Sequence, residues 1–336
     1  MSSFKAYLIS EVDGKTQSAF VDMDEAQLDA GEVTIKVAYS SVNYKDALAA
    51  TGAGRIIRRY PCVGGVDLCG IVTQSGDARF KAGDAVIATS FDIGVAHHGG
   101  YAELARVPAD WVVPLPAGLT LREAMALGTA GFTAALAIVR MEENGLTPSR
   151  GTVIVSGATG GVGGLAVDML AGLGYKVTAL TGKEAEFDYL KRLGASEVMY
   201  RSALDLTRIR PLDKALWAGA VDSLGGEVLA WMASTMKPAG TIASIGLAAG
   251  TALNTTVMPF ILRGVSLLGI DSVNAGEPYR SGIWQRLASD LKPRHLLEMT
   301  HSVAFADLPG VFDSFLKGRS RGRVVVELAG SGSAAS

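Results

Sequence analysis

The first 121 residues of the chain have the hydrophobic pattern of short β-strands. Apolar and polar side chains alternate over 33–37, which is the period of a strand with one buried face. A second apolar strand is predicted at 84–89, directly after a turn that contains Gly83. Short strands separated by glycine-rich turns predict a mostly β lobe of the kind that forms a partly closed barrel.

The pattern becomes helical near Thr120. Thr120 and Glu123 have the spacing of a capping box, and they precede an apolar run that predicts a helix over 124–139. From Gly151 onward, short apolar strands alternate with helical stretches, which is typical of a parallel sheet with right-handed crossovers. Six strands fit a doubly wound nucleotide-binding sheet, and they are predicted at 152–156, 176–180, 197–200, 220–223, 241–245 and 265–270.

These patterns predict an α/β protein with two domains, which suits a length of 336 residues. A β-rich domain is predicted at 1–123 and a nucleotide-binding domain at 124–271. The segment 272–336 first becomes irregular, then returns to a strand at 323–328, and is predicted to complete the first domain. Its Ala/Gly/Ser tail, from about residue 329, is predicted to be disordered.

Composition and charge exclude several classes of protein. The 31 basic and 33 acidic residues nearly balance, with a net charge of −2, so there is no basic field to hold nucleic acid or an anionic membrane. Two cysteines are too few for a disulfide scaffold and indicate a reducing compartment. The N-terminus lacks the pattern of a signal peptide. The uncharged run 124–139 is too short to cross a bilayer, and glycines and prolines interrupt 238–262. We expect a soluble cytoplasmic protein.

A glycine-rich loop at 157–163 follows the predicted strand 152–156 and precedes a predicted helix at 164–173. In this context, backbone amides approach a pyrophosphate closely, and the helix N-terminus adds favourable partial charge. One register of the dinucleotide-binding pattern starts at Gly161 and another at Ala158. The second is favoured because its first position follows the strand directly.

The end of the next predicted strand indicates which nucleotide is bound. NAD sites carry an acid about 20 residues after the glycines, whereas this chain has Thr181 there and Lys183 two residues later. A hydroxyl and a cation suit the 2′-phosphate of NADPH. Glu184 and Glu186 argue against this, but they fall where a helix should begin, and acids are favoured there. Arg201 is either a second phosphate ligand or an ordinary surface residue. We predict NADPH.

Segments 43–46, 65–70, 128–134 and 160–163 resemble the zinc-free quinone-reductase branch of the medium-chain dehydrogenase/reductase superfamily. Its members join a GroES-like β-rich catalytic domain to a doubly wound Rossmann domain, so the resemblance implies this fold. The similarity extends over nearly the whole chain. Segments 43–46, 217–219, 256–263 and 269–272 are more closely similar to NADPH-dependent acrylyl-coenzyme A reductases.

The chain departs from the zinc enzymes of this superfamily at their metal ligands. It has Asn43 and Tyr44 where those enzymes place a Cys-His pair, and Val66 where they place a histidine. Valine cannot ligate zinc, and a catalytic zinc site normally needs three protein ligands, so we expect no metal. The pair at 97–98 (His-His) is better interpreted as part of a loop than as a metal site. Cys69 lies among apolar residues and is interpreted as a core residue.

The resemblance implies metal-free reduction of acryloyl-CoA to propanoyl-CoA, with hydride transfer to the β carbon. The resulting enolate needs hydrogen-bond donors and a proton at the α carbon. Asn43 is expected to donate a hydrogen bond to the developing oxyanion. Tyr44 either donates a proton, orients the cofactor ring, or only packs against the cofactor.

The resemblance also implies positions that bind the cofactor. These are Tyr44, Thr159, Gly160, Gly161, Val162, Thr181, Gly182, Lys183, Arg201, Leu247, Ile261, Ser272 and Arg323. A cationic cluster of Arg55, Arg58 and Arg59 is either a solvated face or a site for the phosphates of an acyl-CoA substrate.

Two other functions remain open, and we also expect a defined oligomeric state. The same fold and cofactor also suit reduction of quinones or general enones, and a non-catalytic NADPH-binding protein is an alternative from another class. In the family, the strand predicted at 265–270 lies at a sheet edge, where it can pair across a two-fold axis. We therefore expect a homodimer.

Overall fold

The computed structural model describes residues 3–328, so the tail predicted to be disordered lies outside the described residues. The strands are β1 (Phe4–Val12), β2 (Lys15–Met23), β3 (Val33–Val42), β4 (Cys62–Val63), β5 (Asp67–Ser75), β6 (Ala85–Thr89), β7 (Leu104–Val107), β8 (Val112–Pro114), β9 (Val153–Ser156), β10 (Val177–Thr181), β11 (Glu197–Tyr200), β12 (Trp217–Asp222), β13 (Met236–Ser244), β14 (Ser266–Gly269), β15 (Thr300–Ala304) and β16 (Arg323–Glu327). The α-helices are α1 (Tyr44–Thr51), α2 (Leu121–Glu143), α3 (Gly161–Gly172), α4 (Phe187–Arg192), α5 (Gly226–Thr235), α6 (Met258–Arg263), α7 (Tyr279–Leu287) and α8 (Leu308–Leu316). Short 3₁₀ helices occur at Glu25–Gln27, Ala109–Trp111, Pro148–Arg150, Glu184–Glu186, Arg201–Ala203 and Phe305–Asp307.

The chain divides into two compact units. Of the described residues, unit 1 takes in 3–129, Val273–Ser281 and 297–328, and unit 2 takes in Ala130–Ser272 and Gly282–Leu296. Each unit has its own sheets and its own buried apolar residues.

Unit 1 contains two β-sheets. One has the strand order β2-β1-β4, and the other has the order β15-β16-β3-β5-β6-β8 with β7 also paired to β3. The alternating segment 33–37 lies in β3, where Val33, Ile35 and Val37 are buried as predicted. Thr34 is buried as well, because strands pair with β3 on both sides and its hydroxyl accepts a hydrogen bond from Arg106 Nε at 3.3 Å.

Helix α2 is longer than the sequence pattern predicts. The capping box at its start is present, with Glu123 N donating to Thr120 Oγ1 at 3.1 Å and Thr120 N donating to Glu123 Oε2 at 2.9 Å. The helix then runs for 23 residues, although its backbone departs from helical angles at Gly128. It is long and apolar enough to cross a membrane, so the exclusion by length was wrong; 89% of its most apolar window is buried within the protein, as in a core helix.

Unit 2 is built on the predicted doubly wound parallel sheet. Its strand order is β11-β10-β9-β12-β13-β14, and all neighbours are parallel. The order reverses beside β9, which is the topological switch point where such sheets bind ligands. Strand β13 begins at Met236, earlier than predicted, because the register shifts between its pairs with Trp217 and Gly219 and so accommodates Pro238.

The predicted return segment is divided between the two units. Residues 282–296 belong to unit 2 and not, as predicted, to the β-rich domain. The reason is apolar packing around Trp284, which is fully buried and whose ring centroid lies 6.2 Å from that of Phe132. His295 N also donates to the buried carboxylate of Asp168 at 2.8 Å. The first boundary likewise lies at 129/130 rather than at 123/124.

Candidate active site

A buried polar cluster in unit 1 is centred on Asp67, at the start of β5. Its carboxylate is fully buried and accepts hydrogen bonds from Ser41 Oγ at 2.5 Å, Asn43 Nδ2 at 2.8 Å and Thr129 Oγ1 at 2.5 Å. We call Ser41, Asn43, Asp67, Thr129 and Arg323 the Asp67 cluster. Sequence analysis included Asp67 and Thr129 in two family segments but assigned neither residue a role.

The kink in α2 completes the donor set of Asp67. Gly128 has φ 51° and ψ −154°, a conformation that L-residues with a side chain rarely adopt. A Cβ there would lie 2.6 Å from Asp67 Oδ2 and 2.9 Å from Ser41 Oγ. Because the helix is interrupted at this point, the backbone N–H of Thr129 is directed to Asp67 Oδ1 at 3.0 Å. Glycine at 128 therefore permits both the turn and the close approach.

Arg323 lies inside unit 1, with 2% of its surface exposed. Its guanidinium donates to Ser41 Oγ at 2.8 Å, to Asn43 Oδ1 at 3.2 Å and to the carbonyl of Ala126 at 2.8 Å. Burial lowers the pKa of Arg323, while the negative charges of Asp67 and Asp46 act in the opposite direction. The predicted contact of Arg323 with cofactor stays a prediction; the structure shows it bound to other members of the Asp67 cluster.

Asn43 and Tyr44 stand at the N-terminus of α1. Asn43 is the N-cap residue, and its backbone N–H donates to Asp46 Oδ2 at 2.8 Å. Tyr44 begins the helix and is 53% exposed. Asn43 is thus anchored within the Asp67 cluster. The phenol of Tyr44 is exposed to solvent, so a ligand can reach it.

The cationic cluster predicted for substrate phosphates is partly neutralised. Arg58 forms an ion pair with Asp92, and Arg59 forms one with Asp29. Arg55 is exposed, and no such pair is formed by it within residues 3–328. Substrate binding by these three residues stays a prediction, with Arg55 as the member whose charge is not compensated in this way.

The residues at the superfamily's zinc-ligand positions do not fit zinc. Val66 is buried and apolar, and the carboxylate of Asp67 is saturated by hydrogen-bond donors. Residues 3–328 contain no group of three or more His, Cys, Asp or Glu side chains that could hold a metal ion. His98 Nδ1 accepts from Val63 N at 3.0 Å, and His97 Nε2 lies 3.1 Å from the carbonyl of Ala30, so both rings have structural partners.

Cys69 is buried, and its thiol donates to the carbonyl of Leu121 at 3.2 Å. Burial raises the pKa of this thiol well above its usual range. A buried protonated thiol is a poor nucleophile, which agrees with its interpretation as a core residue.

In unit 2, the glycine loop lies at the switch point of the sheet. Gly157 makes the turn after β9 with φ +60°, so the turning residue is one position earlier than the favoured register placed it. Helix α3 begins at Gly161, with Gly160 as its N-cap. A Cβ on Gly163 would lie 2.4 Å from the carbonyl oxygen of Gly157, so the helix packs on the turn at a distance that only glycine allows. Thr159 and Gly160 lie in this loop, whereas Gly161 and Val162 lie in the first turn of α3, which begins three residues before the predicted helix at 164–173. Cofactor contacts by these four residues stay predictions.

The carboxyl end of strand β12 and the residue after it carry two polar side chains to which sequence analysis assigned no role. Asp222 is fully buried at its carboxyl end and accepts from Ser156 Oγ at 2.7 Å and Gly225 N at 2.8 Å, which fixes the following turn. Ser223 comes next; its Oγ is buried and has no hydrogen-bond partner among residues 3–328. A buried hydroxyl without a protein partner beside Gly157 suits a hydrogen bond to a bound nucleotide. The strand predicted at 220–223 ends on this Ser, at the carboxyl edge of the sheet where such folds bind ligands, and that was the available signal.

The end of β10 brings the predicted phosphate-binding residues together. Thr181 is buried, and its Oγ1 accepts from Lys183 N at 3.0 Å, so its hydroxyl shapes the turn. A Cβ added to Gly182 would lie 3.9 Å from Arg201 Nη2, which places the guanidinium against this turn. Glu184 accepts from Ser202 Oγ at 3.2 Å. Lys183 and Arg201 therefore provide two cations at this turn. The carboxylate of Glu184, the next acid in the sequence, is hydrogen-bonded to Ser202.

The remaining predicted cofactor residues of unit 2 differ in exposure. Leu247 follows β13 and is 65% exposed, and Ile261 on α6 is 71% exposed. Ser272 is buried and accepts a hydrogen bond from Thr133 Oγ1 at 2.8 Å. Cofactor contacts by all three stay predictions, and the two exposed apolar side chains are free to cover a ligand.

Comparison with known proteins identifies the family. The family model of the alcohol dehydrogenase GroES-like domain matches residues 29–117, and that of zinc-binding dehydrogenases matches 161–289. The chain belongs to the medium-chain dehydrogenase/reductase superfamily. This confirms the predicted combination of a GroES-like domain with a Rossmann-type domain. The second model carries zinc in its description, although this member lacks the ligands described above.

Three relatives within the superfamily cover nearly the whole chain. Acrylyl-CoA reductase AcuI of Ruegeria pomeroyi is 48% identical over 95% of this chain and 96% of its own. YhfP of Bacillus subtilis, provisionally named a quinone oxidoreductase, is 52% identical over 88% of this chain and 90% of its own; its structure with NAD bound has a TM-score of 0.95 at 47% identity, covering 98% and 100% of the two chains. The yhdH oxidoreductase of Salmonella enterica, solved with NADP, has a TM-score of 0.93 at 46% identity, covering 96% and 99%.

Proposed function

We propose that this protein reduces the conjugated double bond of acryloyl-CoA with NADPH and a proton, giving propanoyl-CoA and NADP⁺. The observation that carries this proposal is the 48% identity to acrylyl-CoA reductase over 95% of the chain. The residues of both units support it. Unit 2 has a dinucleotide loop followed by two cations, and unit 1 has a polar cluster that holds an amide donor.

The residues of unit 2 fit NADPH. The close approach of Gly163 to Gly157 holds the N-terminus of α3 against the turn, and the backbone amides of such a helix start suit a pyrophosphate. The buried hydroxyl of Ser223, which has no partner among residues 3–328, suits a hydrogen bond to the same ligand. Lys183 and Arg201 would hold the 2′-phosphate. When bound, NADPH supplies the hydride.

In unit 1, Asn43 donates a hydrogen bond to the thioester oxygen, which becomes negatively charged as the enolate develops. An exposed phenol at Tyr44 suits either proton donation to the α carbon or packing against the cofactor. Arg55, Arg58 and Arg59 are assigned to the substrate's phosphates. Leu247, Ile261 and Ser272 are assigned to the cofactor, as are Tyr44 and Arg323.

The decisive experiment mixes purified protein with NADPH and acryloyl-CoA, follows the loss of the absorbance of the reduced cofactor, and identifies propanoyl-CoA by mass spectrometry. We expect rapid, stoichiometric conversion. Binding of NADPH without turnover of any activated alkene would replace this proposal with the non-catalytic alternative.

The second candidate is a quinone or general enone reductase, and the 52% identity to YhfP favours it. Arg55→Ala distinguishes the two. If the acyl-CoA is the substrate, the change raises KM for acryloyl-CoA and leaves KM for a small enone as it was. Efficient turnover of simple quinones with none of the thioester would establish the second candidate.

We further propose a cellular compartment and an oligomeric state for this protein. Cys62 and Cys69 are both free thiols, which supports a reducing, cytoplasmic compartment.

Strand β14 forms one edge of the sheet of unit 2, with β13 as its neighbour. Exposed apolar side chains accompany this edge on β14, on α6 and at the residue before α6, which supports a homodimer formed there; they are Val257, Ile261, Leu262 and Leu267.

A further inference from the structure

We propose that Asp67 and Arg323 are positioning residues that lock the side-chain amide of Asn43 in one orientation, so that one of its N–H groups faces the substrate. This inference rests on the proposed function, because it assigns a purpose to the donor that stabilises the enolate. Asp67 and Arg323 act through Asn43 and do not themselves need to touch substrate.

The orientation of the amide is forced by the chemistry of its two neighbours. Asn43 Nδ2 donates to Asp67 Oδ2 at 2.8 Å, and Asn43 Oδ1 accepts from Arg323 Nη1 at 3.2 Å. A carboxylate only accepts hydrogen bonds and a guanidinium only donates them. Rotating the amide by 180° would place its N–H groups against a cation and its oxygen against an anion. The observed orientation is therefore the one that both neighbours select.

The amide nitrogen of Asn43 carries two hydrogens, and Asp67 takes one of them. The second has no partner among residues 3–328, and the residue is only partly buried. A polar N–H that is fixed in direction and still unpaired is a preorganised donor, which stabilises developing charge without having to reorganise during the reaction. The locked amide thus leaves one hydrogen for a ligand.

The two positioning residues are themselves held in place. Ser41 Oγ accepts from Arg323 Nη2 at 2.8 Å and donates to Asp67 Oδ2 at 2.5 Å, so it links them a second time. Thr129 contributes a backbone and a side-chain donor to the other oxygen of Asp67. The amide of Asn43 therefore lies between an anion and a cation whose own positions are fixed by several hydrogen bonds.

A double-mutant cycle on turnover of acryloyl-CoA tests this inference. Asn43→Ala should lower kcat about 100-fold, as loss of an oxyanion donor does. Asp67→Asn and Arg323→Gln, which remove the preference for one amide orientation, should each lower kcat about 10-fold or more, and Asp67→Asn should leave the Kd of NADPH unchanged. In the Asn43→Ala background, neither change should lower kcat further. Arg323→Lys, which keeps the charge, should recover part of the loss.

A matched control removes a fully buried carboxylate elsewhere. Asp168→Asn lies in unit 2, where Asp168 binds His295, and should lower Tm while kcat stays at the wild-type value. Full additivity of Asp67→Asn and Asn43→Ala, or an Asp67→Asn enzyme with wild-type kcat, would overturn the inference. If Asp67→Asn does not fold, Arg323→Gln and Arg323→Lys complete the same cycle.

A second readout needs no turnover and so separates this inference from the proposed function. In ¹⁵N-labelled protein, the two side-chain amide protons of Asn43 should have widely separated chemical shifts, because one lies on a carboxylate. Asn43→Ala assigns the pair, and Arg323→Gln should reduce the separation. Two nearly equal shifts in the wild type would refute the locked amide, even in a protein that reduces acryloyl-CoA. A separated pair in a protein without that activity would support the lock and refute the proposed function.

Discussion

At the scale of single residues, Asp46 is a buried carboxyl group of unit 1 whose environment opposes its charge. It is buried on α1, where its carboxylate accepts hydrogen bonds from the backbone of Asn43 at 2.8 Å and of Val66 at 3.1 Å. Burial, together with the nearby charge of Asp67, raises the pKa of Asp46 to about 6, while the charge of Lys45 and the two backbone hydrogen bonds act against the shift. Asp46 should therefore titrate in the folded protein at mildly acidic pH.

This shift predicts how stability depends on pH. Between about pH 4 and pH 6, the folded protein keeps a proton on Asp46 that the unfolded chain has already lost, so the free energy of unfolding falls as the pH rises through this window. The loss is about 3 kcal/mol by pH 7. Asp46→Asn cannot titrate at this position, so its stability relative to the wild type should rise by most of that amount between pH 4 and pH 7, as measured by urea unfolding. If the stability difference between Asp46→Asn and the wild type stays constant with pH, the raised pKa of Asp46 is not the origin of the pH dependence.

The sequence revealed individual site residues but not their cluster. Asn43 could be named because its segment resembles a family motif, whereas the role of Asp67 depends on donors at positions 41, 129 and 323. No local period or spacing connects such distant positions. The need for glycine at position 128 was equally unpredictable, since only the folded chain shows that a side chain there would clash with Asp67.

At the scale of elements, the turn after β10 determines the choice between NADPH and NADH. Lys183→Ala or Arg201→Ala should weaken NADPH by about 1 to 3 kcal/mol more than NADH, because a charge-assisted hydrogen bond to the 2′-phosphate is lost. Titration calorimetry with both cofactors measures the difference. Lys176→Ala removes an exposed lysine just before the other end of the same strand and should change neither affinity. Equal losses for the two cofactors would show that the turn does not bind that phosphate.

Strands and helices were predictable where their apolar period was unbroken. Strand β11 occupies the predicted 197–200, β9 begins one residue later than predicted, and β10 is shifted by one residue at both ends. The prediction missed the first part of β13, because Pro238 and Gly240 are typical of a turn while the sheet accommodates them in a register shift. It also left α7 in an irregular segment, because the burial of Trp284 depends on residues far away in the sequence.

At the scale of the whole molecule, the order of strand-rich and alternating segments was sufficient to predict two domains and the doubly wound sheet. It was not sufficient for the path of the chain after Asp271. The segment 282–296 belongs to unit 2 because of its buried apolar face and the bond between His295 and Asp168. Side-chain packing of this kind has no signature in local composition.

The assembly is the last prediction at this scale. Leu267 on the edge strand β14 is 37% exposed, and Ile261 and Leu262 on α6 are 71% and 61% exposed. An edge strand flanked by exposed apolar residues is favourable for pairing between two copies, and a charge placed on it opposes that pairing. Leu267→Asp should therefore convert a homodimer into monomers in analytical ultracentrifugation. Val12→Asp, which replaces a 45% exposed residue of β1 in unit 1, should leave the dimer intact. A wild-type protein that sediments as a monomer, or a Leu267→Asp protein that remains dimeric, would show that β14 is not the interface.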